Sequence, residues 1–291
     1  MQLCLTLGLF VLACLGVTAP ELNPARNHQP PLPTVEPEGK AEASIRADIG
    51  WVGPNQTFHI IVPIKPVEGW HIYWKNPGAS GAPTEFDVQA PEGFVIGNTI
   101  YPRPIGFYSE EGATYGYKKT AAFFIPITAP KQLDDGEVTF KVDAYWLACK
   151  SNCVRGTRTL TLSMKTKSEE GPQHKDMSLQ RFKSVLPKPI HLLEESSVQL
   201  VGNALHITGQ ATQRPVSFIG DNTLGVRYFQ NQTTIDVTEG GFHLTIPTEL
   251  DFANAGSDVI ELEGLLLVGR NKTDPSYVIK KQVTQHELNT Q

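Results

Sequence analysis

The clearest pattern of apolar and polar positions runs from Glu137 to Met164. In its first arm, apolar residues alternate with more polar ones at Val138, Phe140, Val142, Ala144 and Trp146. A period of two is typical of a strand with one buried face. A second arm rich in Thr, Leu and Ser follows residues 150–152, which end in Asn152, a residue type that tolerates the left-handed conformation of short turns. The pattern predicts a β-hairpin.

Short apolar runs bounded by Gly, Pro and Asn recur through residues 43–167 and again through residues 191–291. Several short strands with frequent turns are typical of a β-sandwich. The intervening residues 168–190 begin as a linker and then carry apolar side chains at helical spacing, before Pro187 and Pro189 end the helix. Those side chains are Leu179, Phe182 and Leu186. We expect an all-β protein of two sandwich domains joined by a short helical linker.

Length and composition agree with this architecture. A chain of 291 residues predicts two domains. The 25 glycines and 22 prolines suit a turn-rich β protein. The net charge of −5 gives no basic surface for nucleic acid, so nucleic-acid partners are not expected.

The first 42 residues differ in character from the rest of the chain. Residues 1–19 form an apolar run that predicts a signal peptide, although the run lacks an early Lys or Arg. Val11-Leu-Ala-Cys14 resembles a bacterial lipobox, which would leave Cys14 lipidated, whereas cleavage after Ala19 would leave no anchor. Residues 20–42 are Pro-rich and polar and predict an extended tether. Either route predicts export to the periplasm or another extracytoplasmic compartment, with membrane contact only through a lipid anchor.

Removal of the leader leaves Cys149 and Cys153 as the thiols of the folded part. On one straight strand, residues four apart are separated by about 13 Å, whereas a disulfide needs Cα atoms within about 7 Å. A bond between them therefore requires the predicted hairpin turn. The ring closed by this disulfide would be so small that it adds little to the stability of the folded protein, which favours an exchangeable bond. On the other hand, nearby cysteines in exported proteins most often form a structural bridge. No second cysteine pair and no nearby His supports a zinc site, so no metal or cofactor is expected.

Three motifs carry a resemblance to a known family. Trp146-Leu-Ala-Cys-Lys-Ser-Asn-Cys153 resembles a W-L-x-C-x-x-x-C signature, and residues 69–84 (GWHIYWKNPGASGAPT) resemble a G-W-H-x-Y-W-K-N-P-G-x-S-G-x-P-T block. Tyr115-Gly116-Tyr117 resembles a Y-G-Y element. Together they resemble the N-terminal periplasmic domain of the DsbD/ScsB-type thiol:disulfide interchange proteins, over roughly residues 43–165 and closest to the ScsB-like branch.

The resemblance implies an immunoglobulin-like β-sandwich whose Cys149–Cys153 pair passes electrons to other exported proteins. It implies that Cys153 faces the partner and that Cys149 resolves the mixed disulfide. Family members often have Ile-Pro after the second cysteine, where this chain has Val154-Arg155. Arg155 and Lys150 would stabilise a thiolate electrostatically. The implied partners are thioredoxin-like exported proteins, with electrons from a separate membrane donor, because the sequence to Gln291 includes neither the membrane domain nor the thioredoxin-like domain of full-length members.

The segment from Tyr101 to Glu111 has more aromatic residues than an exposed loop usually carries. Phe107 and Tyr108 either fill the edge of the sandwich core or belong to a flap over the cysteines, such as the family possesses. We include Tyr115 and Trp146 among the surroundings of the pair, and expect Trp70, Trp74 and Trp146 to lie in the core or at its edge.

Two other functions stay open on the sequence alone. The chain could be a non-catalytic exported binding or assembly module whose hairpin bridge is structural. It could also handle copper, since the resembled family is associated with copper tolerance. The residues from 191 onward show no catalytic constellation, and we expect them to act in scaffolding or partner docking.

Overall fold

The alternating pattern forms four β-sheets in the computed structural model, which describes residues 37–289. The predicted signal peptide, the predicted lipidation at Cys14 and most of the predicted tether lie outside the described residues. Within the described part, all strand pairings are antiparallel except one short parallel pair, and the all-β prediction is confirmed. No helix among residues 37–289 has the length and apolar character needed to cross a membrane.

The first half of the described chain folds into two sheets that face each other. Its strands are β1 (Ala41–Ala43), β2 (Arg46–Ala47), β3 (Thr57–Pro66), β4 (His71–Gly78), β5 (Glu85–Gln89), β6 (Val95–Ile96), β7 (Ile105–Ser109), β8 (Gly112–Tyr117), β9 (Ala121–Thr128), β10 (Gly136–Cys149) and β11 (Cys153–Thr166). Sheet 1 has the order β1-β3-β9-β6, with β2 also paired to β3. Sheet 2 has the order β11-β10-β4-β8-β7, with β5 also paired to β10.

Apolar side chains from alternate positions fill the space between sheets 1 and 2. The ring of Phe58 from β3 meets that of Phe140 from β10 edge-to-face, with centroids 5.8 Å apart. Trp70, Trp74 and Trp146 are buried in the same core, as expected for the tryptophans. Burial of large aromatic rings supplies much of the hydrophobic stabilisation of such a core.

The end of the predicted tether belongs to the folded domain, which corrects the boundary drawn at residue 42. Glu38–Lys40 forms a 3₁₀ turn, and β1 begins at Ala41 and pairs with β3. The backbone oxygen of Gly39 accepts a hydrogen bond from the indole N–H of Trp146. These contacts satisfy backbone groups that would otherwise bond to water, so the segment is ordered although it is mostly polar and follows a Pro-rich stretch.

The predicted linker helix forms as α1 (Met177–Lys183), and it packs onto the outer face of sheet 1. The side chain of Asp176 caps it by accepting from the Leu179 N–H. Leu179 is fully buried in a small cluster with Ile61 and Phe124. The helix is therefore part of the fold and not a free connector.

The second half forms sheets 3 and 4. Its elements are β12 (Lys188–Pro189), β13 (Ser197–Val201), β14 (Ala204–Gln210), β15 (Val216–Gly220), β16 (Val226–Tyr228), β17 (Thr234–Val237), β18 (Gly241–Leu250), α2 (Phe252–Ala255), β19 (Val259–Val268), β20 (Ser276–Thr284) and α3 (Gln285–Asn289). Sheet 3 has the order β12-β20-β19-β15, and sheet 4 has the order β13-β14-β18-β16, with β17 also on β18. A second apolar core lies between them.

The two halves share packing as well as a chain connection. Ile219, Leu265 and Leu267 from sheet 3 belong to the core cluster of the first half. Lys75 of β4 forms an ion pair with Asp221, which directly follows β15. The described residues 37–289 belong to one compact unit, so the division into domains at residues 168–190 stays a prediction.

Candidate redox-active site

The hairpin of β10 and β11 builds the cysteine site. Its register runs without interruption from the pair Gly136–Thr166 to the pair Cys149–Cys153, with residues 150–152 as the turn. The two cysteine Cα atoms lie 4.1 Å apart, and the sulfurs are bonded. The predicted hairpin is confirmed. Asn152 does not adopt the left-handed conformation, which among the described non-glycine residues occurs at Lys40, Asn55 and Glu195.

Strand alternation places both sulfurs on the outward face of sheet 2. On β10 the even-numbered residues from Phe140 to Ala148 point into the core, so Cys149 points away from it. Its cross-strand partner Cys153 shares that face. Cys153 is exposed, whereas Cys149 is only 4% exposed. An outward-facing residue so deeply buried must be covered by side chains on the same outer face.

His71 is the cross-strand neighbour of Cys149 on the side away from Cys153. Strand β4 pairs with the end of β10 so that His71 lies opposite Cys149. The His71 ring meets the Tyr73 ring edge-to-face, with centroids 5.1 Å apart. Burial lowers the pKa of His71 below its usual value, and the nearby positive charge of Lys118 lowers it further. Both effects favour the neutral imidazole.

The aromatic segment before Glu111 is a β-hairpin and not a loop. Strands β7 and β8 pair from Ile105–Gly116 to Ser109–Gly112, and this unit is called the cap hairpin (residues 105–117) below. The Phe107 ring packs against the His71 ring at a tilt of 36°, with centroids 4.6 Å apart. The Lys118 ammonium lies 5.0 Å from the centre of the Phe107 ring.

Tyr108 lies on the opposite face of the cap hairpin from Phe107 and is 81% exposed. Neither side chain belongs to the apolar core between sheets 1 and 2. Of the two alternatives, filling of the core edge is therefore wrong for these residues. A covering role over the cysteine pair stays a prediction, and only Phe107 has the position for it.

The other predicted surroundings of the pair are more scattered. Tyr115 is buried, its hydroxyl donates to the Gln230 side chain at 3.0 Å, and burial with the nearby Tyr108 raises its pKa to about 12. Lys150 lies in the hairpin turn with its side chain against Gly69. Arg155 is exposed and sits opposite Leu147 on the outward face. Thiolate stabilisation by Lys150 and Arg155 stays a prediction.

Trp146 supports the site from beneath. Its ring is buried, its indole N–H donates to the Gly39 oxygen at 2.8 Å, and its cross-strand partner is Gly156. A Cβ atom at Gly156 would lie 2.2 Å from the indole nitrogen, so only glycine leaves room for the ring. This contact fixes the end of the hairpin that carries the cysteines.

Two residues of the site were not anticipated from the sequence. The position of His71 opposite Cys149 depends on a pairing between β4 and β10 that joins residues far apart in the chain. The anchoring of the cap hairpin by Arg103 depends on contacts with sheet 3. The place of His71 in the aromatic motif was the one sequence feature that could have assigned it to the site. No sequence feature pointed to Arg103. No group of three or more His, Cys, Asp or Glu residues that could hold a metal ion occurs among residues 37–289.

The first half of the described chain matches a known protein family. Residues 40–165 match the family described as thiol:disulfide interchange protein DsbD, N-terminal. The comparison with curated proteins found no match.

Solved structures give the same picture for the fold. The N-terminal periplasmic domain of ScsB from Proteus mirabilis is similar with a TM-score of 0.56 and 18% identity, over 84% of this chain and 94% of that chain. A family 123 glycoside hydrolase from Clostridium perfringens has a TM-score of 0.28 and 9% identity, over 46% of this chain and 28% of that one. The second likeness is too weak to carry an argument. The first confirms the predicted all-β, immunoglobulin-like fold class.

The family match covers the cysteine hairpin, the block at residues 69–84 and the cap hairpin. It therefore includes all three motifs on which the resemblance was based. Residues 40–165 form a DsbD N-terminal-type domain, and the resemblance inferred from the motifs is confirmed over that part of the chain.

Proposed function

We propose that this chain is an exported thiol:disulfide interchange protein, which passes electrons between a redox donor and extracytoplasmic partner proteins through Cys149 and Cys153. One observation carries the proposal. The disulfide lies at the tip of a hairpin, with one exposed cysteine and one buried cysteine. Such asymmetry gives a partner one sulfur to approach and keeps the other for resolution.

The exchange follows from this arrangement. In the reduced protein, the Cys153 thiolate attacks a partner disulfide, forms a mixed disulfide and releases one partner thiolate. The Cys149 thiolate then attacks the Cys153 sulfur, which forms the Cys149–Cys153 bond and releases the second partner thiolate. The partner gains two electrons and binds the two protons given up by the cysteines. A membrane donor returns the pair to the dithiol.

The family match supports partners of the thioredoxin-like type, because their exposed disulfides suit attack by an exposed thiolate. We place the protein in the periplasm or another extracytoplasmic compartment, where such disulfides persist. Residues 1–19 would direct export, and Cys14 would carry a lipid if the lipobox is used.

Trapping of the mixed disulfide tests the proposal. The reduced Cys149→Ser variant is mixed with an excess of a thioredoxin-like protein in its disulfide form, free thiols are alkylated at once so that the released partner thiolate cannot reverse the exchange, and the products are separated without reductant. We expect a covalent complex, because the attacking Cys153 remains and the resolving thiol is gone. The Cys153→Ser variant should give none, and the double variant is the control.

Two other outcomes would be informative. A complex with Cys153→Ser alone would reverse the two roles and leave the function standing. No complex with either variant would contradict interchange and favour the alternative, a β-sandwich binding or assembly module with a structural bridge. The near-complete burial of Cys149 is the observation that favours that alternative.

A further inference from the structure

The outer strand of the cap hairpin has a single strand neighbour. Strand β7 lies at the edge of sheet 2, where β8 is its neighbour in the sheet. Strand β8 in turn pairs with β4 at Tyr117–Ile72 and Gly116–Tyr73, and then shifts register before Thr114 meets Gly78. Because regular pairing is interrupted within this ladder, contacts outside sheet 2 contribute to the orientation of the outer strand.

Those contacts come from the second half of the chain. Arg103, two residues before β7, is 4% exposed, and its guanidinium donates to three backbone oxygens at the turn between β19 and β20. The acceptors are Val268 at 3.2 Å, Pro275 at 2.6 Å and Gly269 at 2.5 Å. The guanidinium presents its N–H donors in a planar fork, which matches these three converging oxygens better than the ammonium group of a lysine would.

Further hydrogen bonds hold the same end of the hairpin. The Arg103 backbone N–H donates to the Val185 oxygen at 2.9 Å, next to α1. The Tyr117 hydroxyl, at the end of β8, donates to the Pro102 oxygen at 2.8 Å. The Tyr115 hydroxyl donates to the Gln230 side chain of the second half. The base of the cap hairpin is thus tied to sheet 3, while its turn at residues 110–111 is exposed.

The opposite face of this hairpin carries Phe107, which packs against His71 beside the buried Cys149. The burial matters chemically. When a thiol attacks the exposed Cys153 sulfur, the Cys149 thiolate is the leaving group, and a buried thiolate is disfavoured. Any contact that keeps Cys149 buried therefore slows reduction by small thiols, even though Cys153 is exposed.

We propose that the second half of the chain positions the cap hairpin, with Arg103 as its main tie, and so sets how readily small thiols reduce Cys149–Cys153. Arg103 is a positioning residue, since its guanidinium donates to the turn between β19 and β20 and not to either cysteine. The proposal gives the second sandwich a role in the redox site. The proposal rests on the proposed function in one respect: slow reduction by small thiols is useful to a protein that exchanges disulfides with partner proteins.

The rate constant for reduction by dithiothreitol tests this. The oxidised protein is mixed with dithiothreitol, which is oxidised to its cyclic disulfide as it yields the two cysteine thiols, and these are counted after alkylation. We expect Arg103→Gln to react roughly tenfold faster than the wild type, because charged hydrogen bonds that favour the closed hairpin are lost. Arg103→Lys should fall between the two. Arg227→Gln, which removes an exposed arginine paired with Glu249, is the matched control and should react at the wild-type rate.

A double-mutant cycle separates positioning from a general loss of stability. Phe107→Ala removes the contact that the tie is proposed to hold, so adding Arg103→Gln to it should give little further acceleration. A wild-type rate for Arg103→Gln would overturn the proposal, as would an equal acceleration in both backgrounds. If Arg103→Gln does not fold, the same cycle is run with Tyr115→Phe, where a wild-type rate overturns the proposal and a several-fold acceleration that depends on Phe107 supports it.

The dithiothreitol experiment measures the cap hairpin whether or not the cysteine pair exchanges with proteins. If no mixed disulfide is trapped but Arg103 and Phe107 are coupled in the cycle, the cap hairpin is positioned as proposed and the bridge is structural. If a mixed disulfide is trapped but the cycle shows no coupling, disulfide interchange stands and Arg103 does not control it. The two proposals can therefore fail separately.

Discussion

The rings of Phe107 and His71 pack with their centroids 4.6 Å apart, and His71 lies directly across the strand pair from Cys149. This relationship connects the cap hairpin to the buried cysteine through a single intermediate side chain. Cys149 is only 4% exposed although it points away from the core of the sandwich.

Replacement of Phe107 by Ala should accelerate reduction of the disulfide by dithiothreitol by about two- to tenfold. The range corresponds to an aromatic contact of about 0.5–1.5 kcal/mol that favours the closed hairpin. Tyr108→Ala is the matched control, because Tyr108 is the next residue of the same strand and points the other way into solvent. Equal acceleration by both variants would contradict the assignment of Phe107 as the covering residue.

Replacement of Gly156 by Ala should lower the free energy of unfolding by about 1–3 kcal/mol, because the added methyl group overpacks a filled site. The Trp146 ring would have to shift and weaken its hydrogen bond to the Gly39 oxygen. Gly136→Ala at the far end of the same hairpin is the control, since its Cβ would meet only the Thr166 hydroxyl at 3.8 Å. Urea denaturation followed by tryptophan fluorescence measures both, and an unchanged stability for Gly156→Ala would refute the packing argument.

The acid stability of the fold should depend on Asp48. Burial alone would raise the pKa of this carboxyl group, but hydrogen bonds from His59 and from Lys183 of α1 outweigh burial and lower it from 3.8 to about 2. Near pH 3 the unfolded chain therefore binds more protons at this site than the folded chain, so stability rises with pH. The contribution is complete above about pH 5 and is lost as the pH falls to about 2, and it amounts to about 2 kcal/mol.

Comparison with Asp48→Asn isolates this effect. The free energy of unfolding of each protein is measured in urea between pH 2 and pH 6. We expect the advantage of the wild type over the variant to shrink by about 2 kcal/mol toward the acid end. A difference that stays constant over this range would show that Asp48 has no lowered pKa in the folded protein.

The sequence was most informative where contacts are local. The hairpin from residue 136 to residue 166 was predictable because period-two alternation and a short turn fix its register without help from distant residues. Trp146 was expected in the core for the same reason, since it shares the inward-facing positions with Phe140.

The sequence was least informative where a segment takes its structure from distant partners. Residues 38–42 are mostly polar and follow a Pro-rich stretch, yet they are ordered by pairing with β3 and by the Trp146 indole. Phe107 and Tyr108 are adjacent, and only the pairing of β7 with β8 shows that their side chains diverge. Arg103 would pass for an ordinary surface charge, because the oxygens that hold it lie more than 160 residues away.

The reduction potential of Cys149–Cys153 tests the central claim most directly. The protein is equilibrated in buffers with graded ratios of reduced to oxidised glutathione, and the fraction of free thiol is measured after alkylation. An exchangeable pair should have a potential above about −300 mV, and the protein should stay folded when the pair is reduced. A much lower potential, or loss of the fold on reduction, would show that the bridge is structural and would contradict interchange.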